Sequence, residues 1–93
     1  MYFKHQKIYV AYLPFGKKYI GRTNNFQRRF REHFSHKGSK ITRKYKPRYI
    51  KIIGNCFNER NCKFKEHRIT NKMIDKYGYD HVRGGGHTNS NSF

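Results

Sequence analysis

Two short runs rich in β-branched and aromatic residues, Lys7–Leu13 (KIYVAYL) and Lys17–Thr23 (KKYIGRT), are separated only by Pro14, Phe15 and Gly16. Three intervening residues that include a glycine leave no room for a crossover, so the pair predicts an antiparallel β-hairpin. If Leu13 faces Lys17 across the turn, Tyr9 lies opposite Gly21 and Ala11 opposite Tyr19. Side chains alternate along each strand, so Tyr9 and Tyr19 become diagonal neighbours on one face, roughly 7–8 Å apart. Gly21 leaves a bare patch beside them where a ligand could approach the backbone. Two readings stay open at this point: phenols packed into a core with their hydroxyls at its rim, or phenols lining a site.

Beyond the hairpin the spacing changes. Residues 24–34 (NNFQRRFREHF) follow a helical period, with Asn24 or Thr23 as N-cap, and SHKGS then breaks it. KITRKYK reads as a short helix ended by Pro47, and RYIKIIG (48–54) as a third strand closed by Gly54. From about Asn58 to Tyr77 the pattern is helical again, with Gly78 suited to the position just past its end. The order ββα(α)βα predicts an α+β fold, a small three-stranded, mainly antiparallel sheet flanked by helices. Residues 1–86 form one domain in this reading, and 87–93 a polar tail. At 93 residues the chain is near the small end of what folds unaided, and eight Phe and eight Tyr supply the apolar area that a 34% hydrophobic content otherwise lacks.

The charge balance narrows the partners. Lys and Arg number 22 against five Asp and Glu, a formal net charge of +17. Such a chain associates with polyanions through phosphate contacts and counterion release, which favours nucleic acid. An anionic membrane surface is the weaker candidate, because no segment combines a strong amphipathic moment with a Trp/Leu face. The longest apolar stretch, IYVAYL, is too short to span a bilayer, and a secretory leader pattern is not seen. With only Cys56 and Cys62, free thiols and an intracellular, reducing compartment are expected. Cys56, Cys62 and His67 lack the paired spacing of a zinc site.

The helices carry the candidate chemistry. Phe26, Phe30 and Phe34 form an apolar stripe with Arg29 and His33 along its edge, one turn apart, while Arg28, Arg31 and Glu32 point away. On the last helix Cys62, Glu66, Ile69, Met73 and Tyr77 share one face. Glu66 therefore sits on a core-facing stripe, a costly place for a carboxylate unless it pairs with a cation or binds a metal. A purely structural ion pair between Glu66 and Arg29 is one outcome, and metal binding the other.

Taken together these residues resemble the GIY-YIG nuclease superfamily. Lys7-Ile8-Tyr9 stands where the first motif falls, without its glycine, and Tyr19-Ile20-Gly21 is the second. NNFQRRFREH is similar to the helix bearing the family's catalytic arginine, with a histidine one turn later, and KFKEHRITNKMIDKYG to the helix bearing its metal-binding glutamate. Where the family carries an asparagine near the end, this chain offers Asp80 or His81. The KYG…VRGGG ending is similar to small stand-alone members encoded by phages and large DNA viruses.

The resemblance implies a divalent-metal-dependent DNA endonuclease acting on duplex or branched DNA. Glu66 would hold one Mg²⁺ or Mn²⁺, and Arg29 would grip the scissile phosphate with its planar fork. Tyr9 would serve as general base or water-orienting group, Tyr19 would position the phosphate or Tyr9, and His33 would hydrogen-bond a tyrosine or relay its proton. Lys18, Arg28, Lys40, Arg43, Lys44, Lys46, Arg48 and Arg83 would contact the nucleic-acid backbone. A non-catalytic nucleic-acid-binding module on the same scaffold is the alternative, and a catalytic unit working with a separate specificity domain is compatible with the first reading.

Overall fold

A computed structural model describes residues 5–35 and 37–85. Gly86 and the expected polar tail at 87–93 lie outside the described residues. Strands β1 (Gln6–Tyr12) and β2 (Lys18–Thr23) form the hairpin, with Tyr9 opposite Gly21 and Ala11 opposite Tyr19 as the spacing predicts. The connection is a 3₁₀ turn, Pro14–Gly16, with Phe15 at φ 63° and Gly16 at φ 72°. It is closed by the Leu13 N–H donating to the Lys17 carbonyl at 2.8 Å.

Helix α1 spans Phe26–His33 and the short helix α2 Lys40–Lys44. The N-cap of α1 is Asn25, one residue beyond the expected Asn24, and its side chain accepts the Arg28 N–H. Thr23 assists from one step back, its hydroxyl oxygen accepting the Asn25 N–H at 3.0 Å. Strand β3 (Tyr49–Cys56) pairs antiparallel with β1 on the side away from β2. Helix α3 runs Glu59–Tyr77 from an Asn58 cap, and Gly78 ends it at φ 92°.

A fourth strand corrects the three-stranded expectation. β4 (Val82–Gly84) pairs parallel with β2, so the sheet order is β3-β1-β2-β4 and the chain order ββααβαβ. Three residues, Val82-Arg83-Gly84, are too few to carry an alternating pattern, which is why the strand is silent in the sequence. Arg83 on it is also not the surface cation expected. Its side chain is fully buried, with the guanidinium 3.9 Å above the centre of the Tyr79 ring and donating to the Val82 and Tyr79 carbonyls.

Alternation splits the core between the two faces of the sheet. Ile8, Val10, Ile20 and Val82 pack with Ile69, Met73 and Ile74 of α3, together with Cys56 and Cys62. On the other face Ala11 and Leu13 pack with Ile41 of α2 and with Tyr19, Tyr45 and Ile50. Each fully buried Ile or Val contributes about 1.5–3 kcal/mol. Cys56 and Cys62 form a disulfide that ties the end of β3 to the first turn of α3, correcting the expectation of free thiols. The inference to a reducing compartment rested on those thiols and loses that support. Among the described residues no helix is long and apolar enough to cross a membrane.

Gly84 tests β4 directly. It sits at φ 133°, and a Cβ there would overlap the Ile20 carbonyl oxygen. Gly84→Ala should therefore lower stability by at least about 1–3 kcal/mol, read as a fall in the urea midpoint. An unchanged midpoint would remove β4 from the folded sheet.

Candidate active site

Gly21 allows the site to exist. A Cβ on it would fall inside the Tyr9 phenol, so the missing side chain lets that ring lie flat across the neighbouring strand. The ring is almost wholly covered, with 1% of Tyr9 exposed. Its hydroxyl lies 2.6 Å from His33 Nε2, at the C-terminal end of α1. The other imidazole nitrogen, Nδ1, lies 2.9 Å from the Thr42 hydroxyl of α2. Thr42 Oγ1 in turn donates to the Ser39 carbonyl at 3.2 Å. With the threonine proton directed to Ser39, Nδ1 would carry the imidazole proton and Nε2 would accept from the Tyr9 O–H, the tautomer that a phenol donor requires. The result is a buried chain, Tyr9–His33–Thr42–Ser39, joining the sheet to both short helices.

Arg29 closes the chain from outside. Its guanidinium lines the same cleft as the Tyr9 phenol, whose ionised form it favours electrostatically, and donates to Glu32 Oε1 at 3.2 Å. Glu32 is thus turned toward Arg29 rather than fully outward as the helical wheel suggests. Tyr19 meets the same histidine edge-on, with ring centroids 5.8 Å apart, and its phenol is in hydrogen-bonding reach of Ser39 and Arg29. Phe26, Phe30 and Ile50 complete the cleft around Tyr9, Arg29 and His33, which is too tightly packed to admit a water molecule. The structure therefore brings four of the five expected catalytic residues into contact on one face of the sheet.

Burial sets their protonation. Desolvation pushes the Tyr9 phenol well above its ordinary value, reinforced by Tyr19 and opposed by Arg29. Tyr19 is raised in the same way. His33 is pulled down to about 4, first by burial and then by the Arg29 charge, so the imidazole is neutral near pH 7. For Arg29 burial acts downward, but the Tyr9 phenol and the charges of its other neighbours outweigh it and hold the guanidinium firmly charged.

Glu66, the fifth residue, arrives from the opposite face. It belongs to α3, and its partner is Arg22 rather than Arg29: Arg22 Nε donates to Glu66 Oε2 at 2.9 Å. Arg22 Nη2 reaches Glu59 Oε1 at 2.5 Å, and the Gly85 N–H donates to Glu66 Oε1 at 3.2 Å. Only 14% of the Glu66 side chain is exposed. Burial raises its pKa, with Arg22 and the Gly85 amide opposing. Its charge contributes weakly, upward, to the pKa of both Tyr9 and Tyr19. Asp80 and His81, the residues offered in place of an asparagine, lie near the hairpin turn instead: the Asp80 carbonyl accepts Lys17 Nζ, and His81 packs by Gly16.

A divalent ion suits this donor set in one specific way. Among the described residues no three His, Cys, Asp or Glu side chains cluster as a cage. A single, mostly buried carboxylate matches an ion such as Mg²⁺, which retains waters and takes its remaining ligands from substrate phosphate. In this structure Arg22 and the Gly85 amide occupy the two carboxylate oxygens, so an ion would have to displace or share one of these partners.

Of the remaining expected contacts, Arg28, Lys40, Arg43, Lys44, Lys46 and Arg48 are exposed on and around α1 and α2. Lys18 is half-buried, its ammonium 4.0 Å from the centre of the Tyr77 ring. Arg83, being buried, faces no ligand. Sequence reasoning missed Arg22, Thr42 and Gly85. Strand parity could have found Arg22, since it shares a face with Ile20 and so points toward α3.

With this geometry in place, comparison with known families is decisive for class. The family model described as the GIY-YIG catalytic domain matches residues 5–78. The chain belongs to the GIY-YIG family, whose activity is of the nuclease type. No curated protein and no solved structure gives a match.

The neutral histidine predicts a pH signature. Because the folded value lies below the ordinary 6.5, the unfolded chain binds the proton more readily, so stability held above pH 6.5 is lost as pH falls toward about 4. In urea titrations across that range wild type should lose stability steadily, whereas His33→Gln, weaker at neutral pH, should show a flatter profile. Equal slopes would contradict a buried neutral His33.

Proposed function

We propose that this protein is a divalent-metal-dependent DNA endonuclease that hydrolyses phosphodiester bonds. The observation that carries the reading is the meeting of Tyr9, His33 and Arg29 in one cleft, with the mostly buried Glu66 of α3 paired to Arg22 of β2. Duplex backbone would lie over the exposed cations Arg28, Lys40, Arg43, Lys44, Lys46 and Arg48, with Lys18 at the hairpin. The cleft is closed without substrate, so the scissile phosphate must draw the Arg29 fork outward and uncover the Tyr9 hydroxyl.

Hydrolysis then needs a deprotonated water and a neutralised phosphate. Tyr9 alone is a poor base, because burial holds its proton on. The hydrogen bond to His33 supplies a route: the phenol passes its proton to Nε2 while its oxygen takes the proton of the attacking water. The water oxygen bonds to phosphorus as the P–O bond to the leaving strand breaks, and the leaving oxygen is protonated from solvent. An imidazolium is unfavourable beside Arg29 in the empty cleft, and a bound phosphate anion reverses that balance. Arg29 stabilises the charge growing on the nonbridging oxygens, and Tyr19 orients the phosphate. Glu66 would hold Mg²⁺ or Mn²⁺, which supplies Lewis-acid charge to the phosphate and the leaving oxygen.

A binding module without catalysis fits less well, because a buried carboxylate beside a phosphate-binding surface would repel its ligand. Glu66→Ala should abolish Mg²⁺-dependent nicking of plasmid DNA while leaving binding intact or tighter, and full activity in that variant would reject the metal role. Tyr9→Phe should slow cleavage at least about a hundredfold; an unaffected rate would remove Tyr9 from the chemistry. DNA affinity should fall steeply between low and physiological salt, and a flat profile would argue against phosphate contacts.

A further inference from the structure

The flank of α3 turned away from Glu66 carries a different set of groups. Lys65, Arg68 and Lys72 recur at helical spacing along a groove of about 270 Å³, floored by Ile8, Ile53 and Ile69. Lys65 links this groove to a pair of exposed aromatics. Its ammonium donates to the Asn55 carbonyl at 2.9 Å and stands 5.9 Å from the centre of the Phe57 ring. Phe57 is 61% exposed and Phe64 65%. Phe64 opens on a second concavity that it shares with Arg60. No carboxylate lines either hollow. Among the described residues Arg60, Arg68 and Lys72 have no hydrogen-bond or ion-pair partner.

We propose that this flank is a binding track for an unpaired DNA strand, with Phe57 and Phe64 stacking on bases and Lys65, Arg68 and Lys72 holding phosphates. Phe57, edge-on to His5 at 5.1 Å, and Phe64 keep most of their surface exposed on this cationic flank, where a partner offering π faces would cover them. The net charge of +17 and the all-cationic rim select a polyanion as the cover. Duplex DNA meets the cations but keeps its base faces stacked internally, so phenylalanine gains little from it. An unpaired strand offers both phosphates and free base faces, and stacking on aromatics is worth about 1–3 kcal/mol per base regardless of sequence. An acidic peptide would meet the cations without using the rings.

The track lies on the flank of α3 turned away from Glu66, with the width of the helix, roughly 10 Å, between them. The track and the α1/α2 cations lie on opposite faces of the sheet, so a substrate engaging both carries an unpaired arm that departs from the duplex, which names the substrate class as branched or flapped DNA. That conclusion rests on the endonuclease reading; the strand-binding site itself does not.

The test is fluorescence anisotropy with a labelled oligothymidylate and a labelled duplex of equal length, without metal, using wild type, the Phe57→Ala/Phe64→Ala double variant and Arg68→Glu/Lys72→Glu. The aromatic double variant should bind the single strand at least about tenfold more weakly and the duplex within twofold of wild type. Phe57→Leu/Phe64→Leu, which keeps apolar bulk without a π face, should lose affinity as well. Charge reversal should lower the slope of log affinity against log salt for the single strand by about 1.4, the loss of two phosphate contacts. Wild-type single-strand affinity in the alanine variant, or equal losses on strand and duplex, would overturn the proposal. Plasmid nicking by the same wild-type preparation separates the two claims. Aromatic-dependent strand binding without nicking would leave the track standing and sink the endonuclease. Nicking with aromatic-independent binding would do the reverse.

Discussion

The absence of a side chain at Gly21 is the constraint from which the site grows. With nothing projecting there, the Tyr9 ring lies across β2 and its hydroxyl is carried to the end of α1. His33 must then turn one nitrogen to Tyr9 and the other to Thr42, which fixes α2 against α1 through a side-chain chain rather than through apolar contact alone. Arg29 can lie over the phenol only because His33 is neutral, since two buried cations side by side would repel. A Cβ at this one strand position would therefore displace the Tyr9 ring and break its link to His33.

The sheet itself divides the labour. One face gathers Tyr9, Tyr19, Arg29 and His33, and the other holds Glu66 on α3. The strand β2 serves both, because its odd residues, Tyr19 and Gly21, face α1 and α2 while Arg22 reaches Glu66. The far edge is braced separately. The β4 strand returns beside β2, its buried Arg83 stacked on Tyr79, and Gly85 just beyond it donates to the Glu66 carboxylate. The disulfide does the same at the start of α3. Small chains gain little from core volume, and in this one the braces cluster where the acid must be held in place.

The hairpin and its register were readable from sequence because alternation and a three-residue connection leave few options, and the helices were readable from their period and caps. The convergence of Tyr9, Tyr19, Arg29 and His33 followed from those elements. Glu66 was recognisable as anomalous, but its partner was not, because the helical wheel of α1 suggested Arg29 when strand parity pointed to Arg22. Arg83 misled for a different reason: an arginine next to glycines reads as surface, and only tertiary pairing with β2 buries it. The disulfide was hidden because two cysteines six residues apart carry no framework pattern, and β4 because three residues carry no period.

Everything chemical in this account depends on His33 being an uncharged acceptor for the Tyr9 proton. Nitrogen-15 chemical shifts of the His33 ring at neutral pH measure that directly. The account predicts one protonated nitrogen, Nδ1, and an unprotonated, hydrogen-bonded Nε2. An imidazolium, or a ring protonated on Nε2, would mean that the phenol has no acceptor and that the relay does not exist.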